Sequence, residues 1–211
     1  MDAALLLLAD GRFPSGGHAY SAGVESAVAH GDVIDVVTLD RYLAGRLATT
    51  GIVDAAFACR SCAAHARHEP DVIDELDREY DARVASPRSR TVSRQLGRQL
   101  VRAASQVWPD GDYPDAPHHA IALGAVVAAV GGTPADAATI TIHQLASAVT
   151  TAAVRLLGLD PISVTALQAR HVATPGDWSN VAPRDLPAAG GTLSEILAQH
   201  HGTWSHRLFV A

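Results

Sequence analysis

The stretch with the most evident chemical capacity is Cys59-Arg60-Ser61-Cys62 with His65 and His68, two thiols and two imidazoles at metal-ligand spacing. On a helix of 3.6 residues per turn each three-residue step falls back by about 60°, so the four side chains spiral over about half the circumference. They cannot meet on one ion, and a structural zinc site built on an adjacent pair needs two more ligands from elsewhere. A dithiol redox site wants its first cysteine at a helix start behind a strand, whereas these cysteines lie inside an alanine-rich helical run. They read as buried, inert thiols, and a metal-binding or thiol-redox helical protein using Cys59 and Cys62 is the alternative. Eleven histidines, above all His200, His201 and His206, invite nickel or zinc. Neighbouring helical histidines diverge by about 100°, and no H-E-x-x-H pair occurs, so solvated or capping roles are expected and no metal site is assigned. Without a G-x-S-x-G elbow or a distinctive carboxylate pair, no catalytic residue is assigned either. The lack of both a G-x-x-x-x-G-K-[ST] run and any lysine argues against a nucleotide cradle, and no cofactor is expected.

The elements that carry these side chains are helical by period and punctuation. The 211 residues are 48% hydrophobic but only 5% aromatic, which calls for a core of Ala, Leu and Val. A net charge of −6, with all sixteen basic residues arginine, leaves no basic footprint for nucleic acid. The opening MDAALLLLADG lacks a basic leader and reads as a first helix, not a secretion signal. With no charge-free apolar run of about twenty residues, no membrane span is expected, and the expected compartment is the cytoplasm.

Ser21 is the expected cap of a helix carrying Val24, Ala27 and Val28 and closed by Gly31, and Thr38 the cap of the next. Gly51 marks a break before a helix from Ile52 to Glu69, which Pro70 stops. Asp71 then caps VIDELDREYDARVA, whose alternating charges read as a solvated face with no chemistry. Ser86-Pro87 and Thr133-Pro134 are cap-plus-proline starts, for helices reaching Val107 and Leu157. Between them lie a loop at 108–117 and a buried helix from His118-His119 to Gly131-Gly132. A helix from Pro161 to Val172, an irregular exposed segment at 174–191, a helix from Thr192 to His200 and a tail at 202–211 complete the chain. Together these predict one all-α domain over residues 1–211, with roughly eight to ten helices and no sheet. Trp204, Leu208 and Phe209 are apolar side chains in a terminal tail, so they either dock on this chain or await a partner.

Dense backbone punctuation marks Arg12 to Val28. Pro14 fixes its own φ, Gly16 and Gly17 permit positive φ or close approach, and a shaped turn follows. Phe13-Pro14-Ser15-Gly16-Gly17-His18-Ala19-Tyr20-Ser21-Ala22-Gly23-Val24-Glu25 resembles the signature L-P-x-G-G-F-x-H-S-x-G-L-E of the urease accessory protein UreF family. His18 and Tyr20 depart from the aromatic and histidine usual there. Three further stretches follow in order. Arg90, Ser93, Gly97, Arg98 and Leu100 resemble R-x-x-S-x-x-x-G-R-x-L, and His118, Ala120 and Gly124 resemble H-x-A-x-x-x-G. Ser147 to Leu159, with Arg155 and Gly158, resembles S-x-x-x-A-x-V-R-L-x-P-L-G but departs at Asp160-Pro161. The ending Arg207-Leu208-Phe209, behind Trp204, is also similar to the family's.

The resemblance implies a urease maturation chaperone without catalysis of its own. Such a protein binds the accessory protein UreD (also called UreH), recruits the GTPase UreG to deliver nickel into apo-urease, and tends to form a homodimer. The motif residues are then candidates for the partner interface. For the opening turn two roles stay open: packing the core through Phe13 and the glycines, or presenting Tyr20 and Glu25 to a partner.

Overall fold

Local capping chemistry sets where several of the helices begin. The structure is a computed structural model, and it describes residues 2–17, 20–171, 175–205 and 208–209. Its helices are α1 (Ala3–Ala9), α2 (Val24–Ala29), α3 (Val36–Arg46), α4 (Ile52–Ala66), α5 (Pro70–Arg83), α6 (Pro87–Val107), α7 (His119–Ala129), α8 (Pro134–Leu157), α9 (Pro161–His171) and α10 (Thr192–His201). No strand occurs among the described residues, so the expected all-α class holds.

The two cap-plus-proline starts are as expected: Ser86 accepts the Ser89 amide, and Thr133 and Asp136 form a reciprocal capping box. Helix α8 runs without interruption through its β-branched Thr139–Ile142 stretch. Asp160-Pro161 makes a further start of the same kind, with Asp160 Oδ2 accepting the Ser163 amide at 2.9 Å.

Other boundaries differ from the sequence expectation. Ser21 is not a cap: Ala22 (φ 52°) and Gly23 (φ 84°) reverse the chain ahead of α2, and the buried Ser21 hydroxyl has no partner among the described residues. Asp35 caps α3, and Thr38 is the third helical residue of a capping box. Gly51 breaks nothing. Its φ of −61° is helical, and a π-helical stretch, Leu47–Gly51, carries α3 straight into α4. Pro70 opens α5, where Asp71 sits in the first turn behind Glu69 at the cap position. Thr192 begins α10 with Gly191 at the cap position.

Helix α4 is the hub, buried from Ala55 to Ala64 and packed against α7 and α8. Gly124 permits the α4–α7 crossing, since a Cβ there would stand 2.5 Å from the Ala58 carbonyl oxygen. Helix α6 packs against α7 in turn. One core gathers Leu8, Phe13, Phe57, Leu76, Leu100 and Ile121, and a second gathers Val24, Leu39, Leu43, Val149, Leu167 and Phe209. The segment expected to be irregular and exposed is irregular apart from a short 3-10 turn, yet it is pinned down: Leu186 is buried, and Arg83 donates to the carbonyls of Pro183, Arg184, Leu186 and Pro187. By length and composition α8 is long and apolar enough to cross a bilayer, against the expectation of no such stretch, but half of its apolar window is buried in this fold.

Candidate functional site

The opening turn is built onto α6. Phe13 is buried and stacks on Trp108 with ring centroids 5.8 Å apart, while Pro14 stays exposed. Gly16 has φ 83°, a left-handed backbone that favours glycine, and the end of the Gln99 side chain packs where a Cβ would stand. Gly17 and Tyr20 then line a cavity of about 340 Å³ whose far wall is α8, including Gln144, Thr151 and Arg155. Phe209, from the other end of the chain, lines the same cavity, and its ring lies under the Arg155 guanidinium at 5.0 Å. Arg155 itself is exposed, so this stacking, and no buried charge pair, is its setting.

Glu25 fastens the tail. Its carboxylate is buried and lies 2.7 Å from His201 Nε2. It also accepts the backbone amides of Leu208 at 2.7 Å and Phe209 at 3.1 Å. Phe13 thus packs inward with Gly16 against Gln99, Gly17 is exposed, and Glu25 is bonded to the chain's own tail. Trp204 packs on the His201 ring at 4.8 Å and lies beside His200 and His30. Next to the buried Phe209, Leu208 points outward with 69% of its surface exposed. His201, expected to be solvated or a cap, is instead a buried partner of Glu25. His18 and Arg207 lie outside the described residues.

A second constellation joins α5, α6 and α7. Ser93 Oγ is 3.1 Å from His118 Nδ1 and accepts the His119 amide at 3.2 Å. His118 Nε2 lies 2.9 Å from Asp81, and Arg94 bridges Asp77 and Asp81 at 2.8 and 2.6 Å. Gly97 admits the incoming backbone: a Cβ there would stand 2.1 Å from the Pro117 carbonyl oxygen. Arg90 closes the end of α5 by donating to the Val84 and Ala85 carbonyls, whereas Arg98 is exposed. Donor atoms of Asp77, Asp81 and His118 lie within 4.8 Å of one another, a spacing that suits a cation. Here Arg94 supplies the positive charge, so the arrangement is a satisfied ionic brace. The helix read as a solvated face with no chemistry supplies both of its carboxylates.

The two thiols serve different neighbours. Cys59 Sγ accepts the Trp178 amide at 3.4 Å, and Cys62 faces the Gly132 carbonyl at 3.8 Å. Burial pushes the Cys62 thiol up to about 12 and raises Cys59 as well, which disfavours the thiolate that ligation or exchange requires.

The motifs thus meet in space, and comparison with known proteins accounts for their order. Residues 33–171 match the family model described as UreF. The chain is 40% identical over 210 residues to the urease accessory protein UreF of Mycobacterium sp. (strain JLS), covering 98% of this chain and 97% of that one. It is 38% identical to that of Mycolicibacterium vanbaalenii, covering 99% and 98%, and 36% identical to that of Mycobacterium tuberculosis (strain ATCC 25618 / H37Rv) with the same coverage. The chain belongs to the UreF family. Membership assigns it an accessory role in urease maturation and separates it from the catalytic subunits of urease. The UreF model covers neither the opening turn nor the tail, so the Glu25 clasp lies outside its span, while the likeness to UreF relatives takes in nearly the whole chain.

Proposed function

We propose that the chain is a non-catalytic docking scaffold of urease maturation. It binds a UreD (UreH)-type accessory protein, recruits a UreG-type GTPase, and so supports nickel insertion into apo-urease, acting in the cytoplasm as a homodimer. The observation that carries this reading is the clasp between the two chain ends. Glu25 holds the tail so that Phe209 is buried against Arg155 while Leu208 faces outward, beside a cavity lined by residues of the opening turn and α8. A terminal segment held in one conformation loses less entropy on binding than a free one, so it presents an apolar contact at lower cost.

Coexpression with the two accessory proteins, pull-down and light scattering test the scheme. The native chain is expected to copurify with both as a complex containing two copies of itself. Leu208→Asp is expected to fold normally, because the side chain is largely exposed, and to lose the complex. Failure of the native chain to form any complex overturns the proposal.

A further inference from the structure

Beneath the opening turn, and independent of partner docking, is a second cavity of about 110 Å³. Arg46, Thr50 and Asp54, each four residues after the last, line it from the continuous α3–α4 helix. The π-helical stretch Leu47–Gly51 falls between Arg46 and Asp54, and such insertions recur where a helix aims side chains at a site. Arg46 is only 7% exposed. Its Nη1 donates to Thr50 Oγ1 at 3.0 Å, but its Nε is buried with no acceptor among the described residues.

The carboxylates around it do not fill that place. Asp54 Oδ1 accepts the Tyr80 hydroxyl at 2.6 Å and makes no ion pair with Arg46, and Glu195 at the rim accepts the Ser86 amide at 2.8 Å. The other guanidinium on the wall, Arg83, is engaged by Glu79 and by four carbonyls of residues 183–187. A buried guanidinium with an unused donor is costly, and its planar fork matches a pair of oxygens on one carbon. Val53, Val92 and Leu96 give the same cavity apolar walls.

We infer that this cavity is a binding site for a small carboxylate anion, with Arg46 Nε–H as the principal donor and the short alkyl group against Val53, Val92 and Leu96. Burial also pushes Asp54 up to about 6, so its carboxyl is mostly neutral, and stops repelling a second carboxylate, only below that pH.

Acetate is the probe, titrated into the purified full-length chain against sodium chloride at matched ionic strength. The expected result is a saturable shift of one arginine Nε–H signal in the ¹H–¹⁵N spectrum and a saturable rise in melting temperature, neither reproduced by chloride. Arg46→Gln is expected to remove that signal and to weaken acetate at least about tenfold. An equal response in chloride, or an acetate response that survives Arg46→Gln, overturns the assignment and leaves a cavity for solvent only. If Arg46→Gln does not fold, saturation transfer to the acetate methyl in the native protein decides. Transfer competed away by formate supports the site, and no transfer, or transfer that formate leaves unchanged, overturns it.

Discussion

Two buried histidines each face a carboxylate at nearly the same distance, His201 with Glu25 at 2.7 Å and His118 with Asp81 at 2.9 Å, yet the pairs do different work. His118 belongs to a redundant brace. Its other ring nitrogen meets Ser93, and Asp81, 42% exposed, is shared with Arg94, which also holds Asp77. Glu25 is 9% exposed and alone receives an imidazole and two backbone amides from a tail up to 184 residues away, while His201 Nδ1 has no partner among the described residues. The brace distributes its contacts over three helices and fixes the fold. The clasp concentrates its contacts on one side chain, so a single event releases a whole segment.

Backbone intrusion at the brace should produce the largest effect. Gly97→Val drives a side chain into the Pro117 carbonyl and is expected to cost about 3 kcal/mol, lowering the melting temperature by about 10 °C. A midpoint close to the native one would show that the loop at 117–118 yields, and the brace would then be less rigid than the clasp.

Glu25→Gln is expected to act locally. Loss of the charge-assisted bonds should release the tail by about 2 kcal/mol, read as about 30-fold faster hydrogen exchange at Leu208 and Phe209. The urea midpoint should hardly move, while the complex with accessory proteins weakens. A drop in global stability without loss of tail protection would erase the distinction between clasp and brace.

Arg94→Met probes the redundancy of the brace. Arg94 is 28% exposed and Asp81 42%, so solvent screens the pairs and about 1 kcal/mol or less is expected, with tail exchange unchanged. A loss as large as that of Gly97→Val would mean that the brace too hangs on one side chain.

What the sequence disclosed follows the same divide between local and distant. Ser86-Pro87 and Thr133-Pro134 announced their helices because a cap and the amide it takes lie three residues apart. Thr38 reads as the cap within such a window, since Asp35 and Thr38 both suit one and only their reciprocal bonds decide which is which. Gly51 read as a break because a glycine's cost in a helix is visible in sequence, whereas the π insertion that retains it is not. The carboxylates of α5 looked solvated because charge periodicity reports only neighbours three and four apart. Their hydrogen-bond donors stand 13 to 41 residues away, and Glu25 and His201 are 176 apart, beyond any local pattern. Resemblance picked out Glu25 as a motif position without revealing that it holds the tail.

The smallest effect separates the brace histidine from its neighbour on the cavity wall. Burial, with Arg94 adding to it, holds His118 below the usual 6.5, and burial alone takes His119 down to about 4. For a base whose folded-state pKa is depressed, the unfolded chain takes up protons first as pH falls, so these contributions are whole above 6.5 and shrink below it. Asp54, raised to about 6, has the opposite sign: the folded state protonates first, so its contribution grows as pH drops from 6 toward 3.8. The native urea midpoint should therefore fall only gently between pH 7 and pH 5. His119→Gln removes one declining contribution and should flatten that limb, and Asp54→Asn removes the offset and should steepen it. If His119→Gln leaves the slope unchanged, the acid response belongs to the other histidines that burial holds low, His118 in the brace and His65 on α4.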